Sequence, residues 1–306
     1  MRTKVLLVAV SLAFATVAAE PAVELACSAG TARIALKGGR VLSYVPAGGE
    51  EVFFSAAHQP DDPSDWFYGG LPFCWPWFGK RGPEGADVHG CVRTMMFAVR
   101  SRRRTRTSDT VVLGCTGDGT TPFFPCPFDV ELTVALADTL TVTALIRNTG
   151  MRSFAQTYGF HPFFRVGDVR KVLLNGCGAE VDFTRGNDGV RDPGARRYRL
   201  TDPVLDRVLT LEAEGNAQVI VWNGCRGDSP RANVSPDEWG SFVCVEPVVL
   251  DAQSLLASGE TRELSLAISV QKITSADKNA GGAEDREGRQ EGEDGCAERQ
   301  TPWHHG

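Results

Sequence analysis

Helical periodicity is almost absent from this 306-residue chain. No stretch repeats apolar residues every three or four positions for long enough to build a bundle or the helices of an alternating α/β fold. Beyond the first nineteen residues no apolar run is long enough to span a membrane. Cys-x-x-Cys and His-x-x-x-His spacings do not occur, so no metal site is expected. Neither sign of charge dominates: a net charge of −6 gives no electrostatic reason for nucleic acid or an anionic membrane to be the partner. Histidine is scarce. Five exist, His304 and His305 are in the last three residues, and imidazole chemistry is left to His58, His89 and His161.

What the chain has instead is short β-type runs between frequent turn signals. Arg33–Leu36, Val41–Val45, Val130–Leu136, Leu140–Ile146, Gln218–Trp222 and Glu263–Val270 are examples, several alternating apolar and polar residues as half-buried strands do. Ala137-Asp138-Thr139 reads as a hairpin turn between two of them. Many strands at close spacing without helices predict an all-β sandwich, a single domain over residues 20–273. Residues 1–19 carry Arg2 and Lys4, an apolar core and Val17-Ala18-Ala19, the pattern of a signal peptide cleaved near Ala19; the chain is expected to be secreted or periplasmic, without a membrane partner after cleavage. Residues 274–306 are Gly- and charge-rich with few apolar side chains, and are expected to be a disordered tail.

Nine cysteines are many for this length, and an exported chain could oxidise some of them; Cys115 and Cys126 bracket a Gly- and Pro-rich loop that a disulfide would close. The basic run Arg100–Arg106 lies between two strand-like runs in an acidic protein, so it is expected to be an exposed hairpin rim and not a nucleic-acid patch. Asn233-Val234-Ser235 has the form of a glycosylation sequon.

Three stretches carry candidate chemistry. The first is Gly69–Lys80, closed by His89-Gly90-Cys91-Val92-Arg93, where aromatics, prolines and glycines crowd around a few polar groups. It can build the wall of a small-ligand pocket, with rings for stacking and Lys80, His89 and Arg93 for hydrogen bonds or charge, or it can be a buried aromatic turn. The second is Gln156–Asp168, in which His161 sits among aromatics and before Pro162, either a satisfied core histidine or a positioned acid. The third is Ser235–Pro247, where the apolar run Phe242–Val245 ends on Glu246. That carboxylate either faces water at a strand end, or is buried with its pKa raised toward that of a working general base.

Taken together and in this order, the Gly-Gly-x-Pro-x-Cys-Trp-Pro-Trp-Phe-Gly and His-Gly-x-x-Arg motifs of residues 69–93, the segment His161–Asp168, and Val221-Trp222-Asn223 with Ser235–Trp239 and Phe242–Glu246 resemble the hexose-6-phosphate mutarotases. These form the glucose-6-phosphate 1-epimerase branch of the aldose 1-epimerase superfamily, and the resemblance covers residues 25 to 272. It implies a galactose-mutarotase-like β-sandwich that interconverts α and β anomers of a sugar or sugar phosphate. It gives His161 the role of the acid that protonates the ring oxygen and Glu246 that of the base that takes the anomeric hydroxyl proton. His89 and Arg93 match sugar- or phosphate-contacting positions, Trp77 and Phe78 pocket-lining ones, and Asp206 an acidic substrate contact. Ring opening and reclosure need one base and one acid that exchange roles, so no metal or redox cofactor is expected. A monomer is expected.

Two departures bear on substrate. Tyr68 stands where phosphate-specific members carry an arginine, removing a bidentate anion ligand. The signal peptide is the second, since sugar phosphates are cytosolic. A mutarotase for free aldoses and a non-catalytic carbohydrate-binding protein are therefore the alternatives, while Lys80, Arg81 and Arg93 remain as cations for a phosphate.

Overall fold

The computed structural model describes residues 20–57, 68–177, 188–191, 196–223, 234–235, 237–251, 255–275 and 277. The signal segment, His58, Asn233, Cys225, Cys296 and the chain from 278 lie outside them.

Two antiparallel sheets face each other. The larger has eight strands in the order β12 (Leu173–Asn175), β14 (Arg197–Asp202), β15 (Arg207–Glu214), β19 (Thr261–Lys272), β8 (Leu140–Asn148), β7 (Pro127–Leu136), β6 (Asp109–Asp118) and β5 (Ala98–Arg104). The smaller runs β13 (Asp188–Arg191), β16 (Gln218–Trp222), β17 (Phe242–Val249), β10 (Tyr158–Phe160) and β4 (Phe73–Cys74), with β11 (Phe163–Arg165) also on β17. A three-stranded sheet of β1 (Ala22–Cys27), β2 (Gly30–Ala35) and β3 (Val41–Pro46) and the short pair β9 (Phe154–Ala155) and β18 (Leu255–Leu256) complete the described strands.

The alternation legible in β7 and β8 is what joins the layers. Phe128, Val130, Leu132, Val134 and Leu136 point inward from β7, and Leu140, Val142, Ala144 and Ile146 from β8, while the residues between them face outward. From the smaller sheet Phe73, Tyr158, Phe160, Val219, Val221, Val243, Val245 and Val249 enter the same apolar core. Burying an aliphatic or aromatic side chain there contributes about 1.5–3 kcal/mol. Ala137 and Thr139 close the β7–β8 hairpin with one backbone hydrogen bond of 2.9 Å, at the expected turn.

Two expectations change. Arg100 to Arg104 are exposed, as expected of a hairpin rim, but they belong to β5 itself, the edge of the large sheet, with Arg106 in the turn beyond. The arginines there are tied inward: Arg100 pairs with Asp129 and Glu131, and Arg102 with the buried Asp109. Charged side chains on an edge strand also block pairing with another chain. Cys115 and Cys126 are both free thiols, Cys115 being an inward-facing residue of β6. Just past β19, the Asp277 carboxylate accepts from the Thr274 backbone and hydroxyl at 2.8 Å and from Arg199 on β14.

Candidate active site

β17 is buried along its whole length, because it is central in its sheet and both of its faces are covered. Val243, Val245 and Val249 enter the inter-sheet core, and the alternate residues Phe242, Cys244 and Val248 join a second apolar cluster on the opposite face, with Phe54, Tyr68, Cys74, Phe78, Phe163, Ile220 and Trp222. Glu246 takes its place in that second row. It lies within the strand, which runs on through Pro247 to Val249, and it is 2% exposed, so it does not face water.

The neighbouring strand delivers the histidine. Tyr158 and Gly159 of β10 pair with Val249 and Val248, and Phe163 to Arg165 of β11 pair with Cys244 to Phe242. Both ladders share one register, in which His161 falls opposite Glu246 on the same face. The ladder lapses between them at Pro162, which has no N–H to donate, while on the β4 side the His161 backbone donates to the Pro72 carbonyl at 3.0 Å. The result is a His161 Nε2 to Glu246 Oε1 separation of 3.4 Å, both side chains being buried.

The surroundings are aromatic. The His161 imidazole stacks on Phe163 at 4.7 Å and on Phe78 at 6.0 Å between centroids, and Trp222 and His89 meet it edge-on at 5.6 and 5.1 Å. Removal from water pushes the Glu246 carboxyl well up from the ordinary carboxylate range, toward where a base works near neutral pH. Burial likewise raises the flanking Cys74 and Cys244 thiols, Glu246 adds to this, and Arg93 opposes it at Cys74.

Side chains of residues 69–93 divide between the two faces of the smaller sheet. Phe73 and Trp75 face the inter-sheet core, where Trp75 is fully buried against Phe124, Phe128 and Phe154 and donates from Nε1 to Gln156 at 2.6 Å. Cys74 and Phe78 face the His161 side, and Thr157 Oγ1 fixes Phe78 by accepting from its backbone N–H. His89 is held in a left-handed conformation at φ 67°. Its N–H donates to the Gly79 carbonyl, and its Nδ1 accepts from the Gly79 N–H at 3.2 Å, which leaves the proton of the neutral ring on Nε2. Gly90 makes this fit possible, because a Cβ there would lie 2.1 Å from the Trp75 carbonyl oxygen.

The other expected contacts disperse. Tyr68 lines the His161 face, edge-on to Phe163 at 6.1 Å. Trp77 does not: its Nε1 donates to the Asp87 carbonyl, and its ring lines a separate cleft of about 540 Å³ with Asp87, Cys91, Met95, Asp118 and Phe123. Arg93 is anchored by its Nε to the Val88 carbonyl, with Asp87 at 3.9 Å from its guanidinium. Lys80 is exposed, and Arg81 donates to the Phe78 carbonyl. Asp206 is an exposed residue of the β14–β15 turn whose carbonyl accepts from Ile273, and no described contact joins it to the His161 face.

Sequence reasoning passed over two features. Glu238, in the Ser235–Trp239 motif, is a staple: its carboxylate accepts from Ser235 and from the Ala57 N–H. The second is Cys244, which with His161 and Glu246 forms a set of three possible metal ligands. Linear spacing could not reveal a set assembled across two strands; the i, i+2 pair of a thiol and a carboxylate on a buried strand was the available signal.

Comparison with known proteins bears on the family and the fold. Residues 21–187 match the aldose 1-epimerase family. A protein of Escherichia coli named "Putative glucose-6-phosphate 1-epimerase" is 26% identical over 260 residues, spanning 79% of this chain and 87% of that one. A protein of Cenchrus ciliaris with the same name is 24% identical over 267 residues, 78% of this chain and 80% of its own. Among solved structures, "a putative mutarotase (YeaD)" from Salmonella typhimurium superposes with a TM-score of 0.75 at 23% identity, over 82% of this chain and 90% of that one. Galactose 1-epimerase from Lactobacillus acidophilus superposes at 0.66 with 13% identity, over 85% and 98%. These last two establish a common galactose-mutarotase-like fold. With the family matched over more than half of its length, the chain belongs to the aldose 1-epimerase family and is an enzyme of the epimerase type.

Proposed function

We propose that this enzyme is a hexose-6-phosphate mutarotase, with Glu246 as the base at the anomeric hydroxyl and His161 as the acid at the ring oxygen. The observation that carries the reading is the cross-strand pair itself, two titratable groups 3.4 Å apart on a buried aromatic face. Glu246 takes the O1 proton while His161 protonates O5, the C1–O5 bond opens to the aldehyde, C1–C2 rotates, and the steps reverse with the roles exchanged. A raised Glu246 pKa strengthens the carboxylate as a base for the anomeric hydroxyl proton. Phe78, Phe163, Trp222 and Tyr68 exclude water and offer flat surface to the apolar side of a pyranose. His89 Nε2–H serves as a hydroxyl donor beside the pair. Arg93, Arg81 and Lys80 are the candidate phosphate ligands, and the names of the curated relatives support the phosphorylated substrate.

A second reading, exchange of unphosphorylated aldoses, draws on the place of Tyr68. Its ring packs on Phe163 inside the aromatic face, and it supplies no cation for a phosphate. Export by residues 1–19 belongs to the proposal and is checked by N-terminal sequencing of the mature protein, where a start near Glu20 is expected. The deciding experiment is NMR exchange between α and β anomers for glucose 6-phosphate, glucose and galactose at equal concentration. Faster exchange of the phosphate is expected. Acceleration of the free sugars alone establishes the second reading, and no acceleration leaves a carbohydrate-binding protein.

A further inference from the structure

Mutarotation employs His161 and Glu246 and leaves Cys244 without a task. Cys244 precedes Glu246 by two residues on β17, so both side chains leave the strand on one face. One ligand atom from each of His161, Cys244 and Glu246 lies within 4.8 Å of the others, and all three residues are buried. Glu246 Oε1 is buried with no hydrogen-bond partner, an arrangement that costs free energy unless something occupies the site. We propose that these three side chains form a binding site for a thiophilic divalent cation of the zinc type, and that its occupation shuts off the sugar chemistry.

The donor set selects the ion. One thiolate, one imidazole and one carboxylate suit zinc and neighbouring soft or borderline metals, whereas magnesium and calcium prefer oxygen alone. The spacing fits as well. In a tetrahedral zinc site with bonds of about 2.0–2.3 Å, ligand atoms lie about 3.3–3.8 Å apart. The His161 to Glu246 distance of 3.4 Å is within that range, and the sulfur closes by at most about 1.5 Å from the 4.8 Å limit. Three protein ligands leave a fourth position for water. On binding, Cys244 gives its thiol proton to solvent and coordinates as the thiolate. The ion then holds both the acid and the base, so metal and sugar exclude one another.

The inhibition rests on the mutarotase reading, but the site does not, and the test separates them. Co²⁺ is added to the full chain after chelator treatment, and the near-ultraviolet thiolate-to-cobalt band is followed. One equivalent is expected to produce the band, with displacement by Zn²⁺. Cys244→Ser and Cys244→Ala are expected to abolish it, while Cys74→Ser, which alters the other thiol beside Glu246, is expected to keep it. In the exchange assay, Zn²⁺ is expected to raise the apparent KM without lowering kcat, and Mg²⁺ to do nothing. Loss of a direct ligand in either Cys244 variant is expected to raise the inhibitory Zn²⁺ concentration at least ~10-fold, since even supporting residues of metal sites are worth about 10–100-fold. A cobalt band in a protein that exchanges no sugar would keep the site and reject the mutarotase. No band, a band that survives in both Cys244 variants, or equal zinc sensitivity in wild type and variants would overturn the site.

Discussion

Replacing Glu246 by glutamine separates the group's catalytic use from its structural cost. The substitution keeps shape and volume at a site 2% exposed, and removes only the titratable proton. A lost general base lowers kcat by about 10²–10⁴. Stability should move the other way. Burial raises the folded-state pKa, while the unfolded chain titrates near about 4.3, so between these values the native state binds more protons than the unfolded one. Wild-type stability therefore falls as pH rises through that window, by about 1.4 kcal/mol for every unit by which the folded pKa exceeds the unfolded one. Glutamine does not titrate. The Tm difference, variant minus wild type, should therefore be smallest near pH 4 and grow toward neutrality, by about 3–5 °C for each such unit in a protein of this size. Thermal unfolding of both proteins from pH 4 to 8, with anomer exchange measured on the same samples, makes the test. A Tm difference that is flat with pH, or that turns against the variant as pH rises, would refute the reasoning, because it would mean the folded protein prefers the charged carboxylate.

Other outcomes follow from particular contacts. Trp75→Ala should cost about 3–5 kcal/mol, since it removes a fully buried indole packed on three phenylalanines and leaves Gln156 without its donor; chemical denaturation reads it directly. Gly90→Ala should lower both stability and exchange rate, because the added Cβ would sit 2.1 Å from the Trp75 carbonyl oxygen and His89 follows its neighbour's displacement. Asp109→Ala should destabilise the edge of the large sheet by about 1–3 kcal/mol, as the Ala26 N–H and Arg102 lose their common acceptor. In the wild type Arg102 holds the Asp109 carboxyl below its usual range, so its contribution is present above about pH 3.9 and is lost as pH falls through the lowered value; acid titration of wild type against the variant shows the difference converging.

How much of this was legible depended on whether the deciding contact was local. Alternation along Val130–Leu136 and Leu140–Ile146 predicted two strands and the turn between them, because period and loop are properties of adjacent residues. Strand β5 was missed within its arginines, since what makes them a strand is pairing with β6 and carboxylates on β6 and β7, neither of which local composition reports. For Glu246 the local pattern left burial and exposure equally open, and the choice was made by position in the sheet: β17 is central, and apolar clusters cover both of its faces. The same shared register that sets His161 opposite Glu246 also sets Phe163 opposite Cys244, so the acid, the base, the aromatic stack and the thiol are consequences of one alignment. A one-residue slip of β17 would send Glu246 and Cys244 to the other face, away from His161 and Phe163. The site's specificity of placement therefore resides less in any motif than in the pairing of β17 with the strand that Pro162 interrupts, and that pairing is a long-range fact which only folding supplies.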